Sequence, residues 1–366
     1  MLKILHMGDL HLCSTQGAFS PRVAAVRRER QLAAFEAMLK EGVARGAALV
    51  LLAGDVFDTV SPDRNTLERF WGALGATSLP TVIVPGNHDY YTVGGFWDSM
   101  SLPENVTLIK SPSLEEVDFE ALGVTVFGYA FCKENAVAPE IAPTVREGRV
   151  AILLAHSDIT APTSPYAPLV AGQFEASPFT YAALGHIHKP IAPCRYGNTV
   201  VAYSGFLCGR GFDETGKGQA NLVQIDGDGV RVLPIESEAD TFEILTIDCT
   251  GARSGESVRQ SLSATLEKAG LPYGTAMRIL LVGEVGAACH VDEAALQALG
   301  EQYALFEIKD STVPLFDSDV LLKDPGLRGA LYRVLLPRLT SSDSEERKVA
   351  TEALRMGLAA LSGREV

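Results

Sequence analysis

Leu49-Val50-Leu51-Leu52-Ala53-Gly54-Asp55-Val56-Phe57-Asp58 is an apolar run that stops at a glycine and delivers two carboxylates. Such a run reads as a strand buried on both faces, and glycine permits the tight turn that re-aims the chain after it. The pattern recurs on either side. Upstream, Ile4-Leu5-His6-Met7 leads into Asp9-Leu10-His11. Downstream, Thr81-Val82-Ile83-Val84 leads into Gly86-Asn87-His88-Asp89, Ala151-Ile152-Leu153-Leu154-Ala155 into His156, and Tyr181-Ala182-Ala183-Leu184 into Gly185-His186-Ile187-His188. Five of the seven histidines fall in this relay. Residues just past the strand ends of an open α/β sheet converge on one rim. The pooled groups are imidazoles, carboxylates and one carboxamide without a thiolate, a donor set suited to Mn, Fe or Zn. His6 and His290 stand outside the relay and read as structural.

Such a set matches the needs of phosphodiester hydrolysis. The substrate is anionic and repels hydroxide unless cations neutralise it. Two ions about 3.5–4 Å apart can hold a hydroxide, bind phosphate oxygens and stabilise in-line displacement. The leaving oxygen needs a proton, and a positioned histidine supplies about 10²–10⁴-fold in rate. A neighbouring carboxylate fixes that histidine's tautomer.

The pattern D-x-H, G-D-x-x-D, G-N-H-D, H, G-H-x-H resembles the calcineurin-like metallophosphoesterase superfamily over roughly residues 1–210. Within it, His6-Met7-Gly8-Asp9-Leu10-His11, Gly54-Asp55-Val56-Phe57-Asp58 and Ala183-Leu184-Gly185-His186-Ile187-His188-Lys189-Pro190 resemble the DNA repair exonuclease branch, the SbcD-like nuclease subunits. The resemblance implies an α/β fold, a β-sandwich flanked by helices. It also implies two divalent ions, Mn²⁺ first, with Fe or Zn compatible, bridged by Asp55. Asp9, His11 and His188 would complete the first ion's ligands, and Asn87, His156 and His186 the second's. His88 would stand beside the phosphate as a catalytic group, and Asp58 would orient it. Asp89 is either a supporting carboxylate or a turn residue. The branch further implies an SbcC-like coiled-coil ATPase as partner.

The rest of the chain organises around these motifs. A helix is expected over 27–45 and another from Pro62-Asp63 through Leu74, with strands over 124–130, 198–203, 220–225 and 229–234. Residues 90–118 read as an irregular cover loop whose Tyr90, Tyr91, Phe96 and Trp97 either pack or wall the cleft, and 160–165 as an extended loop. The phosphoesterase domain is expected over 1–240. A small α/β capping domain follows over 241–316, with strands 242–248, 277–284 and 303–309 and helices 254–269 and 292–302. A helical tail covers 317–366, with Asp324-Pro325 as an N-cap and Ser342-Asp343-Ser344-Glu345 as a capping box. Its apolar stripe (Val349, Ala353, Leu354, Gly357, Leu358, Leu361) either packs on its own domain or docks a partner.

Composition bounds the function. The 366 residues exceed one typical core. Hydrophobic and charged contents of 47% and 21% describe a globular chain, and no apolar run approaches a membrane span. The start of the chain reads as a strand and not as a signal peptide, and the six cysteines form no C-x-x-C pair, so a reduced cytoplasmic setting is expected. Cys13, two residues past His11, reads as filler. The net charge is −14, with 18 Lys+Arg against 27 Asp+Glu in residues 1–240 and 13 against 18 in the remainder. Neither part is basic, so DNA binding by this chain alone should be weak. Arg22, Arg27, Arg28 and Arg30 form either a phosphate-facing patch or the solvated side of a helix. The reading is a binuclear-metal phosphodiesterase, a DNA exo/endonuclease subunit working with an ATPase. A small-molecule phosphodiesterase or phosphatase, and a non-catalytic scaffold, are the alternatives. Homodimerisation stays open.

Overall fold

The runs rich in valine, isoleucine and leucine assemble as two facing sheets. A computed structural model of the chain describes residues 1–286, 289–315 and 317–361, so residues 362–366 of the expected tail lie outside it. The chain divides into two compact units, Met1–Thr241 and Phe242–Val366.

In the first unit, β1 (Leu2–Met7), β2 (Leu49–Ala53), β3 (Thr81–Val84) and β4 (Val106–Leu108) run parallel. The hairpin of β11 (Gln219–Asp226) and β12 (Gly229–Glu236) adds antiparallel to β1, giving the order β12-β11-β1-β2-β3-β4. The second sheet contains β5 (Glu115–Phe119), β6 (Val124–Gly128), β7 (Val150–His156), β8 (Tyr181–Gly185), β9 (Cys194–Tyr196) and β10 (Thr199–Tyr203). Its order is β5-β6-β7-β8-β10-β9, with β6, β7, β8 and β10 parallel. Ile4, Leu51, Val82, Val126, Ile152 and Ala183 fill the space between the sheets. His6 shares the inward face of β1 with Ile4 and meets the Tyr181 hydroxyl across the sandwich, Nδ1 to Oη 2.8 Å.

Helices α1 (Pro21–Ala44) and α2 (Arg64–Thr77) cover the outer face of the first sheet, and α3 (Ala171–Glu175) lies against the second. The expected helix at 27–45 starts earlier, because Pro21 after Ser20 suits a first helical turn. Phe35 of α1 stacks on Phe70 of α2 with ring centres 5.1 Å apart, and burying such side chains contributes roughly 1.5–3 kcal/mol each. The expected cover loop over 90–118 is more regular than its sequence suggests. It supplies the edge strands β4 and β5, while Phe96 and Trp97 pack against Phe57 in the outer core. Those two aromatics are packing groups.

In the second unit, β13 (Phe242–Asp248), β14 (Ala276–Val282) and β16 (Leu305–Asp310) form a parallel sheet, with α4 (Gly255–Ala269) and α5 (Glu293–Gln297) in its core. A short parallel pair, β15 (Glu284–Val285) and β17 (Val313–Pro314), adjoins it. The helix expected over 292–302 is one α turn and a 3₁₀ turn. Helices α6 (Ser318–Lys323), α7 (Leu327–Leu339) and α8 (Ser344–Leu361) complete the described residues. Two caps differ from expectation. Asp324 closes α6 and takes the Gly326 amide at 2.7 Å, so α7 starts from Gly326. Asp343, not Ser342, precedes α8 and accepts from the Glu345 amide at 2.9 Å. Of the expected stripe, Leu354 and Leu358 are buried, whereas Val349, Ala353 and Leu361 are exposed. Gly357 lets α7 come close: a Cβ there would meet Leu331 Cδ2 at 2.4 Å.

Candidate metal centre

Strands β1, β2, β3, β7 and β8 release their motifs at one rim of the sandwich, and backbone bonds lock these loops together. The Asp9 amide donates to Gly54 O (3.1 Å), the His11 amide to Asp55 O (2.9 Å) and the Asp58 amide to Leu12 O (2.8 Å). Asp9, His11, Asp55 and His186 all have positive φ, of 50°, 45°, 48° and 103°. Non-glycine residues held in that region cost energy and concentrate at functional sites. Two glycines are required by close approach. A Cβ at Gly86 would lie 2.2 Å from Asp55 Oδ1, and one at Gly54 would lie 2.6 Å from the His156 ring.

Asp55 occupies the middle. Its Oδ1 accepts from the His88 amide at 2.9 Å. Its Oδ2 faces His11 Nε2 at 3.6 Å on one side and His156 Nε2 at 3.4 Å on the other. Burial alone would raise this carboxyl's pKa; the imidazoles of His156, His11 and His88 outweigh it and hold the group well below the usual range.

On one side, donor atoms of Asp9, His11, Asp55 and His188 all lie within 4.8 Å of one another. His11 Nδ1 bonds Asp58 Oδ1 at 2.8 Å, and His188 Nδ1 bonds Glu214 Oε1 at 2.6 Å. A carboxylate only accepts, so both rings carry their proton on Nδ1. Their Nε2 atoms then lie 3.2 Å apart, close enough for one cation to be held by both.

On the other side, His156 donates from Nδ1 to Ala53 O at 3.0 Å, and its Nε2 lies 2.9 Å from Asn87 Oδ1. Burial opposes charge on His156, yet Asp55 and Asp9 push its pKa up to about 9. The His186 ring centre is 5.1 Å from that of His156 and 4.8 Å from that of Tyr166. The His186 amide donates to both oxygens of Asp9, at 3.0 and 3.1 Å. All seven expected ligand residues therefore meet on one rim, and their N/O donor chemistry suits divalent cations.

His88 is half-exposed on the open side, its Nδ1 3.4 Å from Asp58 Oδ1. Asp58 Oδ1 thus serves His11 at 2.8 Å, Arg210 Nη1 at 3.0 Å and His88 at the longer distance. Asp89 is fully buried and accepts the amides of Gly86 (2.6 Å), Val56 (2.8 Å) and Phe57 (3.1 Å), bracing two motif loops. Burial and the nearby Asp55 push its pKa up to about 7. Cys13 turns away, its Sγ 3.3 Å from Asp63. Of the arginine cluster, Arg27 matches neither expectation. It is buried, bonded to Gln16 Oε1 at 3.2 Å and Gly209 O at 3.1 Å.

Sequence reasoning missed Arg210, Glu214, Asp158 and Tyr166. The first pair had a signal. Strand 198–203 was visible, it is β10, and β10 runs parallel to β8, so the loop after it reaches the same rim. For Asp158 and Tyr166 there was no signal beyond proximity to His156.

Residues 2–190 match the family model for calcineurin-like phosphoesterases, and the chain belongs to that family. Membership makes it a metal-dependent phosphoester hydrolase. The chain is also similar to the uncharacterized metallophosphoesterase YhaO of Bacillus subtilis (strain 168), with 28% identity over 327 residues, covering 83% of this chain and 78% of that protein.

Proposed function

We propose that this chain is a binuclear phosphodiesterase acting on DNA, the nuclease subunit of an SbcD-like repair complex with a coiled-coil ATPase. The observation that carries the binuclear reading is Asp55 Oδ2, flanked by His11 and His156 at 3.6 and 3.4 Å. In this reading Asp9, His11 and His188 would hold one ion, Asn87, His156 and His186 the other, and Asp55, between the two groups, would serve both. The ions, when bound, neutralise phosphate charge and activate water. His88, exposed to solvent at the same rim, would give its proton to the leaving oxygen, with Asp58 at 3.4 Å orienting the ring. Cys13, Cys132, Cys194, Cys208 and Cys249 are free thiols, in keeping with a cytoplasmic protein, and among the described residues no helix is long and apolar enough to cross a membrane.

Support for the DNA substrate comes from the branch-specific motifs. Support for a partner comes from Val320, Leu327, Val334 and Val349, exposed apolar side chains on α6, α7 and α8. The acidic charge of −14 favours a second reading, a small-molecule phosphodiesterase. Purified alone with Mn²⁺, the protein should hydrolyse bis-p-nitrophenyl phosphate and cleave DNA feebly, with DNA cleavage falling steeply as salt rises. Strong turnover of a cyclic nucleotide or phosphomonoester without DNA cleavage would replace the nuclease reading by the second one.

A further inference from the structure

The loop between β10 and β11 carries a charged pair that the family motifs do not include. Glu214 is buried, and each of its oxygens is committed. Oε1 takes His188 Nδ1 at 2.6 Å and Arg210 Nη2 at 2.7 Å, and Oε2 takes the Arg210 amide at 2.8 Å. Arg210 reaches onward through Nη1 to Asp58 Oδ1 at 3.0 Å, the same oxygen that holds His11. One guanidinium thus joins the two carboxylates behind the two first-half histidines. Arg210 Nη2 also lies 3.0 Å from His188 Nδ1, but Glu214 is the nearer acceptor, which leaves Nδ1–H to the carboxylate. The loop is anchored from the other side, where buried Arg27 of α1 holds the Gly209 carbonyl at 3.1 Å.

We infer that Arg210 and Glu214 are positioning residues for the first-ion half: they fix His188 directly, and His11 through Asp58, as Nδ1–H tautomers whose Nε2 atoms face the ion. This rests on the two-ion reading above. A carboxylate behind a ligating imidazole sets its tautomer and raises its basicity, and losing such a partner typically weakens metal binding by about 10–100-fold. Arg210 is not replaceable by lysine here, because a single ammonium lacks the planar fork that spans two carboxylates.

The test uses the full chain and two readouts. In the metal-free protein, ¹⁵N-histidine NMR should find His11 and His188 protonated at Nδ1. Calorimetric titration with Mn²⁺ should give two steps, and Asp9→Asn marks the step that belongs to the first half. Glu214→Gln should weaken that step about tenfold and Glu214→Ala nearer a hundredfold, with the other step unchanged. Arg210→Lys should weaken the first step alone. Should Glu214→Ala fail to fold, Glu214→Gln and Arg210→Lys carry the test. First-step affinity equal to wild type in the folded variants, or Nε2–H tautomers in the wild type, would overturn the inference. A single Mn²⁺ step in the wild type would instead defeat the two-ion reading, and the NMR tautomers would still decide the role of Glu214.

Discussion

The two units of the chain treat polar groups in opposite ways. The first buries Asp9, His11, Asp55, Asp89 and His156 at one rim and satisfies them with backbone amides, carbonyls and one another. The second buries an apolar core of Ile247, Leu262, Ile279, Leu281 and neighbours, holds no comparable cluster among its described residues, and leaves apolar side chains exposed on its last helices. Buried charge costs several kcal/mol per ion unless it is paired or coordinated. Its concentration in one unit marks where the metal-dependent chemistry sits, and in the proposed reading the exposed apolar side chains on the other's last helices are where a partner would dock.

Changes that strike the rim should far exceed changes in the second unit. Asp55→Ala should have the largest effect, because it removes the group between the two halves. Mn²⁺ affinity should drop at both sites by more than the roughly 10–100-fold typical of an outer hydrogen-bond partner; two ions retained at near-normal affinity would contradict the bridge. His88→Asn comes next. Turnover should fall by about 10²–10⁴ with metal stoichiometry unchanged, checked on the same sample. Loss of an ion would make His88 a ligand instead.

Deleting residues 341–366 should have the smallest effect on the rim, leaving Mn²⁺ binding and phosphodiesterase rate as in the full chain. It removes Leu354 and Leu358, both buried against the cluster that includes Tyr332, at roughly 1.5–3 kcal/mol each. The melting temperature should therefore fall, and binding of a coiled-coil ATPase should weaken through loss of Val349. Reduced activity in a still-folded truncation would break the division of labour between the units.

Much of the rim was legible because a strand that ends in Gly and a polar ligand is a short-range signal. The run Leu49–Ala53 with Gly54 and Asp55 needs only the alternation of burial and turn to be read. What was not legible depends on contacts across long sequence distances. For Glu214 the strand 198–203 was legible, but its place beside β8, which brings Glu214 to His188, was not. His6 is the buried core residue that the sequence suggests, but its partner, the Tyr181 hydroxyl of the other sheet, is not legible there. Arg27 fits neither the phosphate-facing nor the solvated reading of its cluster, since its tie to Gly209 spans 182 positions. Element ends in the second unit were misread where short polar caps compete, as at Asp324 and Asp343, each of which accepts a backbone amide two residues ahead.

The central claim is that Asp55 joins two metal half-sites. Anomalous diffraction from crystals grown with Mn²⁺ tests it most directly. Two peaks about 3.5–4 Å apart are expected, one beside Asp9, His11 and His188, the other beside Asn87, His156 and His186, with Asp55 touching both. A single peak, or two peaks with Asp55 bound to only one, would contradict it.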